Sequence, residues 1–296
     1  MKKLLFIFNP ISGKGLVKNK VYEIIDIFTK AGYASFVHPT QRAGEAIEKV
    51  QEFAPIVDLI VCSGGDGTLD EVITGLYKGK FSLPVGYIPA GSTNDFANSL
   101  SISKDPLQAA KDIVEGKVYH CDLGLFNGNP FVYVAAFGAF TEVSYNTNQD
   151  LKNALGHLAY ILEGAKQLTN IPSFWLKASA DGFSAEGEYI FGMVTNSKSV
   201  GGFKNLVGEN VELDDGRFEV TLIRKPKNPL EWQEVLASLA SLVDETNLID
   251  TLKVEWLSIE SAENIPWTLD GEFGGEHRFS RIDAIKGGIS LIVNSN

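Results

Sequence analysis

The sequence predicts an α/β protein with two domains, and three observations support this fold class. The chain has 296 residues, 44% of them hydrophobic, which is roughly twice the length of a common single domain. Its first part alternates short β-rich runs with amphipathic helical segments, a pattern typical of a parallel sheet. Near Leu125 this alternation gives way to many short β-rich runs. We therefore expect a Rossmann-like domain over residues 1–125 and a mostly β, sandwich-like domain over residues 126–296.

Five strands and four helices are predicted in the first domain. The helical segments carry apolar residues three or four positions apart, as at Val21, Ile24 and Phe28, and the turns carry Gly and Pro. The predicted strands are Lys3–Phe8, Tyr33–His38, Leu59–Ser63, Pro84–Ile88 and Val118–Leu123. The predicted helices cover about Val17–Lys30, Ala43–Phe53, Leu69–Tyr77 and Pro106–Glu115.

The second domain is predicted to be mostly β, because short strand-like runs recur at the spacing of a sandwich or barrel. The segment Phe126–Asn129 (FNGN) is a tight-turn signal near its start. Two helical segments are predicted at about Leu151–Leu168 and Leu230–Leu242. The predicted strands are Phe131–Ala136, Phe174–Ser179, Tyr189–Thr195, Phe218–Ile223, Thr251–Ile259 and Ile289–Val293.

The net charge and the cysteine content indicate which binding partners and which cellular compartment to expect. With 26 Lys and Arg against 37 Asp and Glu, the net charge is −11, which argues against a nucleic-acid partner because such binding relies on basic surface. Cys62 and Cys121 lie inside apolar runs, so we expect free, buried thiols in a reducing cytoplasm. We expect no targeting peptide, and no apolar run approaches the roughly 20 residues of a membrane span. Any membrane contact is therefore expected to be peripheral.

The strongest chemical signal is a glycine-rich turn between a strand and a helix. An apolar strand runs into Gly64-Gly65-Asp66-Gly67-Thr68, and a helix is expected from about Leu69. Glycines let the backbone approach a bulky anion, and the helix N-terminus adds positive potential, so this turn predicts a phosphate site. Asp66 would repel phosphate unless a cation lay between them, which indicates Mg²⁺. The alternative is an ordinary turn with an aspartate cap.

Two further loops follow predicted strands and are expected at the same edge of the sheet. Asn9–Gly15 (NPISGKG) follows the first strand, although it lacks the Walker pattern of P-loop enzymes. In Ile88–Ala97 (IPAGSTNDFA), Thr93 and Asn94 can donate hydrogen bonds to nucleotide oxygens and Asp95 can hold a metal ion. Open α/β sheets bind ligands where such loops converge. Taken singly, these loops are also explained as a crossover turn and an N-capped helix.

Together, GGDGT, PAGSTNDFA and NPISGKG resemble the bacterial diacylglycerol kinase and lipid kinase family, to which sphingosine and ceramide kinases are distantly related. The resemblance continues through Asp122-Leu123-Gly124, Leu213–Gly216 (LDDG) and Leu269–Glu272 (LDGE), so it covers essentially the whole chain. GGDGT alone is shared with NAD kinases and phosphofructokinases, whereas the paired motifs are specific. The family's fold implies an α/β nucleotide domain followed by a β-sandwich-like domain, with the active site in the cleft.

The resemblance also implies which residues bind ATP and which one acts as the base. Glu272 is implied to accept the proton of a lipid hydroxyl, which is chemistry that a carboxylate can perform. Without the resemblance, Asp270-Gly271-Glu272 would be interpreted as a surface turn. A departure from the family is Asp70, which stands where relatives commonly have Asn and adds negative charge near the phosphates. The implied ATP-binding residues are Asn9, Pro10, Ser12, Gly13, Thr40, Gly64, Gly65, Asp66, Gly67, Thr68 and Thr93.

Two metal positions are implied in the same way. Asp66, Asp95 and Asp122 resemble the carboxylates that organise the catalytic Mg²⁺, and Lys14 can pair with Asp122 or with phosphate. A second ion is implied at Asp215, since carboxylate and carbonyl oxygens suit a hard cation. A metal-free β-turn is the alternative at that position. The main-chain carbonyls implied to join Asp215 are those of Glu212 and Arg217.

These observations favour an ATP-dependent lipid kinase that transfers the γ-phosphoryl group to a lipid hydroxyl, with diacylglycerol as the expected acceptor and phosphatidate as the product. The expected partner is a membrane lipid reached by peripheral contact, and a homodimer stays open. Two alternatives remain: a NAD kinase-like phosphotransferase, against which PAGSTNDFA argues, and a non-catalytic, nucleotide-gated lipid-binding regulator, which would not need LDGE. Apolar residues within 137–162 can line an acyl groove or pack in the core. The 4 histidines lack metal-ligand spacing and are expected to be structural.

Overall fold

The computed structural model of the chain describes residues 1–15, 17–91, 94–138, 171–198, 200, 211–239 and 246–294. The chain is a mixed α/β protein that divides into two compact units. Unit 1 contains Met1–Leu123 and Lys286–Asn296, and unit 2 contains Gly124–Ile285. The predicted boundary lies near residue 125, whereas the two units divide after Leu123 and residues 286–296 belong to unit 1.

Unit 1 is built on a parallel sheet. β1 pairs in parallel with β2 and with β3, β3 pairs with β4, and β4 pairs with the end of β13, where Leu291 lies opposite Val85. The last pairing explains why residues 286–296 return to unit 1. β5 also pairs with β13. The strands are β1 (Lys2–Phe8), β2 (Tyr33–Pro39), β3 (Leu59–Gly64), β4 (Val85–Pro89), β5 (Lys117–Phe126) and β13 (Glu272–Val293).

Helices cover both faces of this sheet. Leu4, Phe6 and Phe8 pack into a core with Ile24 and Phe28, while the alternate side chains of β1 are equally buried, as expected of a parallel sheet between two helical layers. Helix α1 packs against α5, and α2 packs against α3. The helices are α1 (Val21–Lys30), α2 (Glu45–Phe53), α3 (Asp66–Gly79), α4 (Asp95–Ser99) and α5 (Pro106–Glu115).

Unit 2 is mostly antiparallel. β10 pairs with β9 and β11, β12 pairs with β13, and β7 and β8 each pair with both β9 and β12. Its core is aromatic, since the Trp267 ring lies 4.8 Å from that of Phe126 and 4.9 Å from that of Phe137. The remaining elements are β6 (Asn129–Phe131), β7 (Val134–Gly138), β8 (Phe174–Ala180), β9 (Phe183–Thr195), β10 (Phe218–Arg224), α6 (Pro229–Leu239), β11 (Ile249–Val254) and β12 (Trp256–Leu269).

The elements predicted for unit 1 lie within a few residues of those observed, whereas several in unit 2 differ. The strand predicted at Phe131–Ala136 is divided between β6 and β7, and the one at Thr251–Ile259 is divided between β11 and β12. The strand predicted at Ile289–Val293 is only the end of a 22-residue strand. β12 and β13 carry many polar, exposed residues and their register shifts twice, so no continuous apolar run marks them.

Two further predictions fall on residues outside the described ranges. The helix predicted at Leu151–Leu168 lies there, and so does most of the 137–162 segment that can line an acyl groove. In the part of the chain that is described, no helix combines the length and the apolar character needed to cross a membrane.

Candidate active site

The glycine-rich loops that follow β1, β3 and β4 are in direct backbone contact. Gly13 has φ +57°, and a methyl group on its Cα would collide with the carbonyl oxygen of Ala90. A methyl group on Gly91 would lie 2.6 Å from the Cα of Gly65. Only glycine fits where these backbones approach one another. The three loops that the sequence places at one edge of the sheet therefore do meet.

Hydrogen bonds beyond the strand ladders hold these loops together. The Asn9 N–H donates to the Ser63 carbonyl at 2.8 Å, and the Ala90 N–H donates to the Gly64 carbonyl at 2.7 Å. The Ser63 hydroxyl is buried and donates to the Ile88 carbonyl at 2.9 Å. The ends of β1, β3 and β4 are thus connected from the first loop to the third.

Helix α3 begins at Asp66, earlier than the sequence predicts. Gly65 has extended backbone angles and precedes the 14-residue helix, and the Thr68 side chain packs where a Gly64 side chain would otherwise stand. Gly67 is exposed, with nothing within 4 Å of the position of a Cβ. Because the first N–H groups of a helix lack intrahelical acceptors and carry positive potential, the start of α3 suits a phosphate group.

The structure connects two of the three predicted catalytic aspartates through the backbone of one and the side chain of the other. Asp66 Oδ2 accepts a hydrogen bond of 3.2 Å from the backbone N–H of Asp95, whose side chain is 3% exposed. Asp122 is fully buried, and its Oδ1 accepts from the N–H of Gly287 at 2.8 Å. Among the described residues no group of three or more His, Cys, Asp or Glu side chains is arranged to hold a metal. Mg²⁺ commonly uses one or two carboxylates together with substrate phosphates, so its binding by Asp66 and Asp95 stays a prediction.

Asn94 shapes the third loop, which corrects its predicted role as a donor to nucleotide oxygens. Its side chain is 5% exposed, its Oδ1 accepts from the Gly91 N–H at 2.9 Å, and its Nδ2 donates to the Gly91 carbonyl at 2.8 Å. The buried Tyr87 hydroxyl lies 3.3 Å from the Gly64 carbonyl and 3.4 Å from Asn94 Oδ1. The φ of +51° at Asn94 is tolerated by asparagine better than by most residues. No sequence signal pointed to Tyr87.

Glu71 connects α3 to the loop that contains Thr40. The Thr40 N–H donates to the Phe8 carbonyl at 2.9 Å, which places Thr40 beside the end of β1. Glu71 Oε1 accepts from the Gly44 N–H at 2.8 Å and Oε2 accepts from the Ala46 N–H at 3.1 Å, so this carboxylate caps α2. Both oxygens of the Glu71 carboxylate are therefore hydrogen-bonded to backbone N–H groups where the Thr40 loop joins α2.

The other predicted nucleotide-site residues of the first loop are accounted for as follows. Asn9, Pro10, Ser12 and Gly13 are partly exposed, and Asn9 Oδ1 accepts from the Ile11 N–H at 3.1 Å. The side chain of Lys14 and the whole of Thr93 lie outside the described part of the chain.

In unit 2, Glu272 follows a tight hairpin turn. Asp270 and Gly271 have φ of +49° and +89° and join the paired residues Leu269 and Glu272, as in a two-residue hairpin loop. The Asp270 carboxylate is buried and accepts three backbone N–H groups, from Val132 at 2.5 Å and from Tyr133 and Val134 at 2.9 Å each. Glu272 itself is exposed.

The predicted second-ion site contains a lysine that sequence reasoning missed. Asp215 Oδ1 accepts from the Arg217 N–H at 2.9 Å, and Asp215 Oδ2 accepts from Lys253 Nζ at 2.6 Å. Lys253 Nζ is also 3.4 Å from Glu219 Oε1. Burial raises the pKa of Glu219 to about 7, and Lys253 opposes that rise. Glu212 is exposed, and no local pattern in the sequence links Lys253 to Asp215.

Comparisons with known proteins agree with this architecture. The family profile of the diacylglycerol kinase catalytic domain matches residues 3–126. The diacylglycerol kinase of Bacillus subtilis (strain 168) is 35% identical over 279 residues, which cover 93% of this chain and 91% of that protein. The diacylglycerol kinase of Staphylococcus carnosus (strain TM300) is 34% identical over 278 residues, covering 93% of this chain and 90% of that protein.

A solved structure extends the similarity to the fold. The crystal structure of a diacylglycerol kinase from Bacillus anthracis str. Sterne matches with a TM-score of 0.77 at 25% identity, covering 99% of this chain and 97% of that one. A parallel sheet with converging glycine-rich loops, together with these matches, defines the chain as a kinase. It belongs to the diacylglycerol kinase family.

Proposed function

We propose that this protein transfers the γ-phosphoryl group of ATP to the hydroxyl of a membrane lipid, with diacylglycerol as the acceptor and phosphatidate as the product. The observation that carries the proposal is the contact among the three glycine-rich loops, at Gly13 with Ala90 and at Gly65 with Gly91. Next to this contact, the Asp66 carboxylate accepts the backbone N–H of Asp95, so the loops that follow β3 and β4 are also joined there. Family membership supplies the acceptor class.

Unit 1 handles the nucleotide in this proposal. The first N–H groups of α3, from Gly67 and Thr68 onward, receive phosphate oxygens, and Asn9–Gly13, Thr40 and Thr93 contact the rest of ATP. Backbone N–H groups suit this work because they are already oriented and need no rearrangement when charge develops in the transition state.

Asp66 and Asp95 would hold Mg²⁺, which when bound neutralises phosphate charge. Their carboxylates are the hard oxygen donors that Mg²⁺ prefers, and phosphate oxygens and water complete its shell. Asp122, which accepts the N–H of Gly287, is proposed to assist Mg²⁺ binding only on the ground of family membership. Lys14 pairs with phosphate or with Asp122.

Glu272 of unit 2 acts as the base. The lipid hydroxyl oxygen forms a bond to the γ-phosphorus, the bond from that phosphorus to the β–γ bridging oxygen breaks, and ADP leaves. The hydroxyl proton passes to the Glu272 carboxylate and then to water. The three N–H groups bound by Asp270 hold the turn that presents Glu272.

The expected setting follows from the chemistry of the acceptor. A diacylglycerol stays in the bilayer, so the protein is proposed to act in the cytoplasm by peripheral contact with the membrane. A net charge of −11 makes nucleic acid an unsuitable partner.

The test is phosphoryl transfer by purified protein in mixed micelles. Diacylglycerol, monoacylglycerol, sphingosine, undecaprenol and NAD are offered separately with labelled ATP, and both ADP and labelled acceptor are measured. We expect diacylglycerol to be the preferred acceptor. Preferred phosphorylation of NAD would support the NAD kinase alternative, and binding of ATP without ADP formation would support a regulator.

Glu272→Gln tests the base. The amide keeps the shape but cannot take the proton, so we expect turnover to fall by about 10²–10⁴-fold while the Kd for ATP stays unchanged. Glu276→Gln is the matched control, because Glu276 is also an exposed carboxylate of β13. Turnover of Glu272→Gln equal to that of the control would remove Glu272 from this role.

A further inference from the structure

The loop that contains Asp215, residues 213–217, is called the Asp215 loop. A lysine of a neighbouring strand forms an ion pair with it. Lys253 on β11 lies directly opposite Glu219 on β10 in the antiparallel register. Its ammonium contacts Asp215 Oδ2 at 2.6 Å and Glu219 Oε1 at 3.4 Å. The pairing of β10 with β11 therefore places the positive charge of Lys253 between the carboxylates of Asp215 and Glu219.

This cluster is partly withdrawn from water. The side chains of Asp215, Lys253 and Glu219 are 20%, 32% and 12% exposed. Charges attract more strongly here than at an open surface, because solvent screens them less. Lys253 Nζ lies within ion-pair distance of two carboxylates, and a nearby opposite charge favours the charged form of a lysine. Lys253 is therefore a cation in the folded protein.

Both oxygens of Asp215 already have partners. Oδ1 accepts the Arg217 N–H at 2.9 Å, which together with φ +85° at Gly216 closes a tight turn. Oδ2 accepts the ammonium. The Arg217 guanidinium is a second positive charge beside the loop, and it lies 3.6 Å from Glu255 Oε1.

This donor set does not suit Mg²⁺. The ion requires near-octahedral oxygen coordination at about 2.0–2.1 Å, whereas the free approach to Asp215 is taken by an ammonium that would repel it. In the described ranges, no trio of His, Cys, Asp or Glu side chains is arranged to bind a metal. The second ion expected at Asp215, Glu212 and Arg217 thus disagrees with the residues present.

We infer that Lys253 is the built-in cation of the Asp215 loop and stands in place of a second divalent ion. The loop is then held whether or not Mg²⁺ is present, so it needs no divalent ion of its own. This inference does not depend on the identity of the lipid acceptor.

Thermal unfolding in EDTA and in millimolar Mg²⁺, without nucleotide, tests the inference. We expect the Tm of the wild type and that of Asp215→Asn to respond equally to Mg²⁺, since any shared response belongs to another site. Lys253→Met should lower the Tm in EDTA, because it leaves two partly buried carboxylates without a counter-ion, and Mg²⁺ should restore part of the loss. Lys253→Arg should keep the charge and behave like the wild type.

Lys225→Met is the matched control, because Lys225 pairs with Glu188 at 2.7 Å on an exposed surface. It should change the Tm little and gain no response to Mg²⁺. A Mg²⁺ stabilisation present in the wild type and absent in Asp215→Asn would overturn the inference. So would a Lys253→Met protein that melts and responds like the control. If Lys253→Met does not fold, the comparison of wild type with Asp215→Asn decides alone.

Discussion

At the scale of single residues, two carboxylates in the described part of the chain each accept two or more backbone N–H groups of another segment. Asp270 accepts three N–H groups of residues 132–134, and Glu71 accepts those of Gly44 and Ala46. Hydrogen bonds to a charged acceptor are stronger than neutral ones. Each carboxylate therefore positions a segment that carries a proposed functional residue, Glu272 in one case and Thr40 in the other.

Glu71→Gln should weaken nucleotide binding through the Thr40 loop. The amide retains one good acceptor and turns an N–H donor toward a backbone N–H, so we expect a loss of about 1–3 kcal/mol in the free energy of unfolding. The KM for ATP should rise more than kcat falls, because Glu71 positions the loop and does not touch the reacting atoms. Steady-state kinetics and thermal melts check both expectations.

The control for this change is Glu52→Gln, which removes an exposed carboxylate that pairs with Lys49 at 2.7 Å. It should leave the KM unchanged and alter stability little. If Glu71→Gln loses stability but keeps its KM for ATP, Glu71 only caps α2 and the Thr40 loop needs no help from it.

At the scale of elements, the site depends on how closely three strand-to-helix loops approach one another. Neighbouring strands are about 4.7–4.9 Å apart, and β3 lies between β1 and β4, so the backbones of the loops beyond them come into contact only where side chains are absent. Gly13 and Gly91 provide that absence at the two points of contact. Asn94 then holds the third loop through its hydrogen bond with the Gly91 N–H, and the Tyr87 hydroxyl contacts Asn94 Oδ1.

Gly13→Ala should separate the first loop from the third. The left-handed backbone costs about 1–2 kcal/mol for an alanine, and the new methyl would collide with the Ala90 carbonyl. Gly32→Ala is the matched control, since Gly32 has φ +87° but nothing within 4 Å of a Cβ. Both variants should lose stability, but only Gly13→Ala should raise the Kd for ATP, as titration calorimetry can measure. Equal ATP affinity in the two variants would show that this contact does not form the nucleotide site.

Local sequence signals predict the elements of unit 1 well, because β1, β3 and β4 are short apolar runs, each followed within a few residues by a glycine-containing loop. They also locate the three loops. The sequence does not predict the full length of β12 and β13. These strands are partly exposed and their register shifts, so apolar and polar residues do not alternate regularly along them. Pairs such as Asp270 with Val132, 138 residues apart, have no local signature at all. The sequence therefore identifies the carboxylates as candidate site residues, but it does not predict which groups they contact.

At the scale of the whole molecule, the chain leaves unit 1 after Leu123 and returns to it at Lys286. The returning strand pairs in parallel with β4, and its Ile289 and Leu291 are 1% and 0% exposed. Fully burying an aliphatic side chain of this size contributes about 1.5–3 kcal/mol. Two such residues amount to a large part of the roughly 5–15 kcal/mol that stabilises a typical domain.

A fragment of residues 1–123 should therefore not fold stably, whereas the same fragment joined by a short Gly-Ser linker to residues 286–296 should. The join is short because Gly287 donates to Asp122 Oδ1 at 2.8 Å, so the two chain ends lie side by side. Circular dichroism melts should show a cooperative transition only for the joined fragment, and Leu291→Asp in that fragment should abolish it, since a buried aspartate without a partner is strongly unfavourable. A cooperative melt of residues 1–123 alone, at the same Tm as the joined fragment, would mean that the last strand is dispensable for unit 1. The joined fragment should also bind ATP, because the three glycine-rich loops and the Asp66–Asp95 pair all lie within residues 1–123.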